Sequence, residues 1–255
     1  MITTITLNPA IDKTCTIEEL RSGCVNRLTQ VKNVPGGKGI NVAKVLLQYD
    51  FPVRTMGFLG GYTGKFIEES IRDMGAECRF TPVKGDTRCN TNILASDGSV
   101  TEVLEPGPVI SQEELAQFLE AYEKNLTDSD MMILSGSAAK GLPEDIYGEL
   151  IRRGNRAGKK VLLDTSGVYL KNGIKEKPYM VKPNIAELEN CLGRNLETEK
   201  DVLSAIDELL AEGIKLAFHN HSGELELMPW GSTIHSELEK RTNIDFEIDI
   251  YWTFK

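Results

Sequence analysis

No run of apolar residues in this 255-residue chain reaches the roughly 20 needed for a helical membrane span. Histidine and tryptophan are scarce: His219, His221 and His235, with Trp230 and Trp252, are the whole complement, and all lie beyond residue 213. The five cysteines (Cys15, Cys24, Cys78, Cys89, Cys191) all lie before it, with no Cys-x-x-Cys spacing. An odd, scattered set excludes a disulfide framework and suits reduced thiols in the cytoplasm. Residues 2–7 read as a strand, where a signal peptide would place a basic leader and an apolar core. Positive charge is also in short supply. Lys and Arg number 29 against 38 Asp and Glu, a formal net charge of −9, which argues against a general nucleic-acid binder. A cytoplasmic protein without membrane or nucleic-acid partners is expected. A small anionic substrate stays open, because a few local basic residues can serve it.

What the chain does have is glycine in telling places. Pro35-Gly36-Gly37-Lys38-Gly39-Ile40-Asn41-Val42-Ala43-Lys44 puts three glycines within four residues, ahead of a helix-spaced apolar run. Such a turn lets backbone N–H groups approach a ligand closely and presents a helix N-terminus to an anion. Lys38 adds a point charge there, and Asn41 a side chain that both donates and accepts. An ordinary tight turn before a helix would look the same if nothing else accompanied it. Gly60-Gly61-Tyr62-Thr63-Gly64 is a second glycine-rich turn, again ahead of a helix.

Along the chain, residues 2–7 read as a buried strand and 14–34 as short strands, as of a flap over a site. Residues 39–49 read as a helix, 53–58 as a strand and 64–75 as a helix. Strands are expected at 78–82, 89–95 and 100–104, the last two joined by the turn Asp97-Gly98. A helix over 111–126 opens with Ser111 three residues before Glu114, a capping-box pattern. Strand 131–134, helix 143–157, strand 161–163 ending at Asp164, a short strand before Pro183, and helices 184–192 and 198–212 follow. This alternation predicts an α/β fold with a mainly parallel sheet, whose ligands bind beyond the carboxyl ends of the strands. Ser135, Asp164 and Asn184 all stand at such ends.

The start Thr6-Leu7-Asn8-Pro9-Ala10-Ile11-Asp12, followed by the first glycine-rich stretch, resembles the PfkB (ribokinase-like) sugar kinases, and most of all the 1-phosphofructokinase and tagatose-6-phosphate kinase branch. Thr87-Arg88-Cys89-Asn90, Leu134-Ser135-Gly136-Ser137, Asp164-Thr165-Ser166-Gly167 and Val181-Lys182-Pro183-Asn184-Ile185-Ala186-Glu187 match in the family's order. The resemblance covers residues 1–212. It implies a ribokinase-like sheet flanked by helices, with a small β lid drawn from about 12–34 and 87–105. It also implies ATP-dependent phosphorylation of a ketohexose phosphate, fructose 1-phosphate first, with Mg²⁺, and allows a homodimer through the lid. Asp12, Gly37, Lys38, Asn41, Arg88 and Ser137 would then bind the sugar phosphate. Lys182, Asn184 and Glu187 would stand near the nucleotide and Mg²⁺. For the last pair, an amide cap and a first-turn Glu at a helix start is the plain alternative.

Members of that family carry a late Gly-Ala-Gly-Asp segment, whose glycines form an anion hole and whose aspartate is the base. Residues 188–255 hold no Gly-x-Gly-Asp. In its place stand Phe218-His219-Asn220-His221-Ser222-Gly223-Glu224 and Ile244-Asp245-Phe246-Glu247-Ile248-Asp249-Ile250-Tyr251-Trp252. These resemble a fragment of the xylose isomerase-like sugar-phosphate isomerases and epimerases, which are TIM barrels. The expectation is a ribokinase-like domain over 1–212 joined to a barrel-like fragment over 213–255 that is no independent domain. His219, His221 and Asp249 are candidate metal ligands in that tail, with solvent-exposed polar strand faces as the alternative. Impaired kinase activity is expected. A sugar-phosphate-binding protein without catalysis and an isomerase directed by the tail are the rival functions.

Overall fold

The computed structural model describes residues 1–219 and 245–247. The chain divides into two compact units, Met1–Pro143 and Glu144–Lys255. The first contains, in order, β1 (Ile2–Thr6), β2 (Ala10–Ile17), β3 (Gln30–Gly36), α1 (Lys38–Gln48), β4 (Val53–Leu59), α2 (Gly61–Asp73), β5 (Glu77–Cys78), β6 (Thr81–Pro82), β7 (Arg88–Ala95), β8 (Val100–Val103), α3 (Gln112–Leu126) and β9 (Met131–Ser135). The second contains α4 (Ile146–Arg156), β10 (Lys160–Asp164), α5 (Gly167–Ile174), β11 (Met180–Val181), α6 (Ile185–Leu192), α7 (Glu199–Ala211), β12 (Lys215–His219) and β13 (Asp245–Glu247).

In the first unit β9, β1, β4 and β5 lie side by side, and every pairing among them is parallel. β1 and β4 are buried almost throughout, as strands covered on both faces must be. A separate four-stranded sheet runs in the order β3-β2-β7-β8. Its outer pairs are antiparallel and its central pair, β2 with β7, is parallel. In the second unit β10, β11, β12 and β13 are parallel neighbours. The sheets are thus mainly parallel and flanked by helices, as the alternation predicts.

Three details differ from the sequence reading. Residues 78–82 do not form one strand: β5 and β6 each supply two residues, and Arg79 N–H donates to Thr55 O between them. β2 begins at Ala10, so Asp12 lies within a strand and not in a turn after the first one. Helix α5 escaped the sequence reading because it is short and contains two glycines. Tertiary packing holds it, with Leu170 and Gly173 buried and Gly173 pressed against the Leu163 side chain. The capping box at Ser111 is as expected: the Ser111 hydroxyl accepts from Glu114 N–H while the Glu114 carboxylate accepts from Ser111 N–H.

One polar anchor within the first unit deserves a test. The Arg54 side chain is only 4% exposed, yet it donates to both carboxylate oxygens of Asp128 at 2.8 Å and to Glu77 at 2.9 Å. Its hydrogen bonds hold the Asp128 carboxyl down to about 2, with burial opposing, and those with Arg54 and Arg79 lower Glu77. A carboxylate whose folded pKa is depressed stabilises the fold above the ordinary carboxylate range, and that contribution is lost as pH falls through the folded value. Between about pH 4 and pH 2, thermal melts of Asp128→Asn should therefore show a smaller loss of stability than the parent. Arg54→Met should cost about 1.5–3 kcal/mol at neutral pH. An unchanged acid profile in Asp128→Asn would dismiss the anchor.

Candidate functional site

The first unit gathers its polar groups where β2, β7 and the N-terminus of α1 meet. Asn90 is the register partner of Asp12 across β2 and β7, and Arg88 stands two residues earlier on the same strand. Side chains alternate along a strand, so Arg88, Asn90 and Asp12 occupy one face of the small sheet. Asn90 Nδ2 reaches Asp12 Oδ1 at 3.5 Å, a weak contact. Gly36 sits directly under Asp12: a Cβ there would overlap the carboxylate. Gly37 has φ 111, a backbone conformation side chains rarely adopt, and it caps α1 with no side-chain hydrogen bond. Helix α1 therefore starts without a side-chain cap.

Arg88 is half-buried. Its terminal nitrogens donate to two neutral carbonyls, Asn8 O at 3.0 Å and Glu105 O at 3.4 Å. Its Nε is buried without a partner, and so are Asn8 Oδ1 and Asn90 Oδ1. Gly107 lies against both Asn8 Oδ1 and the Arg88 side chain. Burial lowers the Arg88 pKa, and the charge of Asp12 opposes it. Lys44 shows the same balance while its Nζ donates to Pro35 O at 2.9 Å. Lys44 and Arg88 thus both feel the charge of Asp12, and Glu105 Oε2 stands beside them, accepting from Cys89 N–H. Three orphaned polar atoms in one neighbourhood are unusual, since buried groups nearly always find partners.

Of the residues singled out from sequence, Asp12, Gly37, Lys38 and Arg88 come together here. Lys38 opens α1 beside Gly136, the residue before Ser137. Asn41 and Ser137 are exposed on the same unit. Asn8, Lys44 and Asn90 were passed over, although two of them left a signal. Asn90 is two residues after Arg88 in a strand, and Lys44 three after Asn41 in a helix, so each shares its neighbour's face.

In the second unit Asn184 caps α6 and its Oδ1 accepts from Glu187 N–H at 2.8 Å, while Glu187 Oε2 accepts from Asn184 N–H at 3.0 Å. The plain capping role is therefore filled. Lys182 Nζ lies 3.5 Å from Asp164 Oδ1. His219 ends β12 with Glu247 as its register partner in β13, whereas His221 and Asp249 lie outside the described residues. Among the described residues, no group of three or more His, Cys, Asp or Glu could hold a metal ion.

Residues 5–224 match the pfkB family carbohydrate kinase profile. The chain belongs to the pfkB family of carbohydrate kinases. Escherichia coli phosphofructokinase-2 in complex with fructose-6-phosphate superposes with a TM-score of 0.79 at 25% identity, covering 85% of this chain and 73% of that one. The Thermotoga maritima structure described as "Possible 1-phosphofructokinase" gives 0.76 at 30% identity, covering 85% and 71%. Arabidopsis thaliana ribokinase complexed with ribose and ATP gives 0.64 at 22% identity, covering 85% and 71%, which marks the fold as ribokinase-like. No helix among the described residues is long and apolar enough to cross a membrane.

Proposed function

We propose that this pfkB-family chain binds a ketohexose phosphate between Asp12 and Arg88, fructose 1-phosphate first and fructose 6-phosphate or tagatose 6-phosphate next. The carrying observation is the half-buried Arg88 guanidinium, held by neutral carbonyls only, with its Nε and the nearby Asn8 and Asn90 carbonyl oxygens unpartnered. A ligand with hydroxyls and an anionic group supplies what those atoms lack. Asp12 would take sugar hydroxyls, and Arg88, Lys38 and the start of α1, which has no side-chain cap, would take the phosphate, with Asn41 and Ser137 beside them. Titration calorimetry with fructose 1-phosphate should give heat where unphosphorylated fructose gives far less. No heat at millimolar fructose 1-phosphate would end the reading.

The phosphoryl donor in this reading is ATP with Mg²⁺. Mg²⁺ keeps most of its waters and needs one or two carboxylates besides the nucleotide's own phosphates. Glu187 fits that modest demand, since its Oε1 lies outside the capping box. Asn184 and Lys182 would adjoin it. Bound there, the ion would neutralise charge gathering on the transferred group. Residues 188–255 contain no Gly-x-Gly-Asp to supply a base, so the reading includes weak or absent turnover.

The partner is a second copy of this chain, on the face of the small sheet opposite Asp12. Val31 and Ile93 are both register partners of Cys15, and Val103 lies on that face through Thr91. Val31 and Val103 are 48% and 54% exposed, an apolar pair on edge strands that an isolated sheet would otherwise leave in water. Escherichia coli phosphofructokinase-2 has been seen in a "tetrameric inhibited form". Sedimentation velocity at micromolar concentration should give a dimer, and Val31→Asp with Val103→Asp a monomer. A monomeric parent chain would contradict this partner.

A further inference from the structure

The second glycine-rich turn, Gly60 to Gly64, touches none of the groups assigned to the sugar phosphate, yet it is built around the residue before Arg88. Thr87 is 3% exposed. Its N–H donates to Gly60 O at 3.0 Å, and its hydroxyl accepts from Gly60 N–H at 2.9 Å. Its carbonyl accepts from the Thr63 hydroxyl at 2.6 Å. Every polar group of Thr87 is thus spent on the first turn of α2. That helix has no side-chain cap of its own at Gly60. The Thr87 hydroxyl instead satisfies the N–H of the cap residue itself, the bond that a Glu or Gln at the third helical position makes in a capping box. Glycine is needed at 61, where φ is 66 and a Cβ would overlap the Asp86 carboxylate. At Gly64 a Cβ would fall 3.0 Å from the Thr87 hydroxyl.

We infer that Thr87 and Thr63 are positioning residues: they lock the entry of β7 onto α2 so that Arg88 projects at a fixed place beside Asn8 and Asp12. The argument is geometric. Arg88 has no carboxylate to hold it, only two carbonyl acceptors on flanking segments. A long side chain so weakly held depends on where its backbone is fixed. β7's first residue is fixed by the Thr87 bonds on one side and by Cys89 N–H donating to Glu105 Oε2 at 2.9 Å on the other. Small displacements of a group that must meet an anion are expensive. Thr87→Val keeps shape while leaving the buried Gly60 N–H unpaired. Thr63→Val removes the donor to Thr87 O together with its long 3.5 Å contact to Gly60 O.

This rests on Arg88 receiving the phosphate, and the experiment separates the two. Calorimetry with fructose 1-phosphate is run on the parent, Thr87→Val, Thr87→Ser, Thr63→Val, Arg88→Ala and the Thr87→Val/Arg88→Ala and Thr63→Val/Arg88→Ala pairs, with circular dichroism melts alongside. Thr87→Val should weaken binding about 10-fold and Thr63→Val about 3–10-fold, the loss expected for one hydrogen bond. Thr87→Ser, which keeps the hydroxyl, should restore it. Neither valine should weaken binding further once Arg88 is alanine. Should Thr87→Val fail to fold, Thr63→Val and its Arg88→Ala pair carry the test. Parent-like affinity in the folded valine variants, or losses that persist fully without Arg88, would overturn the positioning role alone. A parent chain that does not bind fructose 1-phosphate would overturn the phosphate-site reading and this inference with it.

Discussion

Given fructose 1-phosphate, ATP and Mg²⁺ in a coupled ADP-release assay, the chain should turn over at or below roughly 10⁻¹ per second, against about 10 per second for a typical enzyme. Phosphoryl transfer asks the protein for an aligned acceptor hydroxyl, stabilisation of charge at the moving group, and a residue to receive the hydroxyl proton. In the proposed reading Asp12 and Arg88 of the first unit would meet the first demand. The Gly-x-Gly-Asp segment that serves the other two in the resembled kinases is absent from residues 188–255. A missing base costs about 10²–10⁴ in rate and a missing anion-hole donor about 10²–10³. The two act on one transition state, so the losses do not simply multiply. Turnover within about 1–10³ per second would show that another carboxylate reaches the acceptor, and would refute the impairment.

Arg88→Ala should weaken fructose 1-phosphate binding by about 100-fold or more, the largest single effect on affinity expected anywhere in the chain. The guanidinium is already partly desolvated, as its lowered pKa from burial records, so little further dehydration opposes a phosphate arriving there. Its planar fork matches phosphate oxygens in a way a lysine ammonium does not, and Arg88→Lys should recover only a minor part of the loss. Unphosphorylated fructose should be nearly indifferent to the change, because in the proposed reading it would meet Asp12 and the asparagines instead. Equal losses for fructose and fructose 1-phosphate would mean that Arg88 holds the site together and does not read the phosphate.

The glycine turn at residues 36–39, the alternation of strands and helices, and the order of the pfkB motifs were legible in the sequence. Backbone periodicity and glycine placement are local properties, and local properties survive in a linear text. Asp12, Lys38 and Arg88 were legible for the same reason, as members of contiguous motifs. What the sequence could not state is the pairing of β2 with β7, which lays Asn90 against Asp12 across 78 residues and stations Arg88 beside Asn8 across 80. Nor could it show that Thr87 spends all its polar groups on α2, or that α5 forms despite its two glycines. Those follow from long-range packing, where burial outweighs propensity and an unpaired polar atom is costly enough to dictate its neighbours. Motif order thus determined the family. Only the tertiary structure decided which side chains share a face, because strand register, invisible in sequence, chooses the face on which every residue of a strand stands.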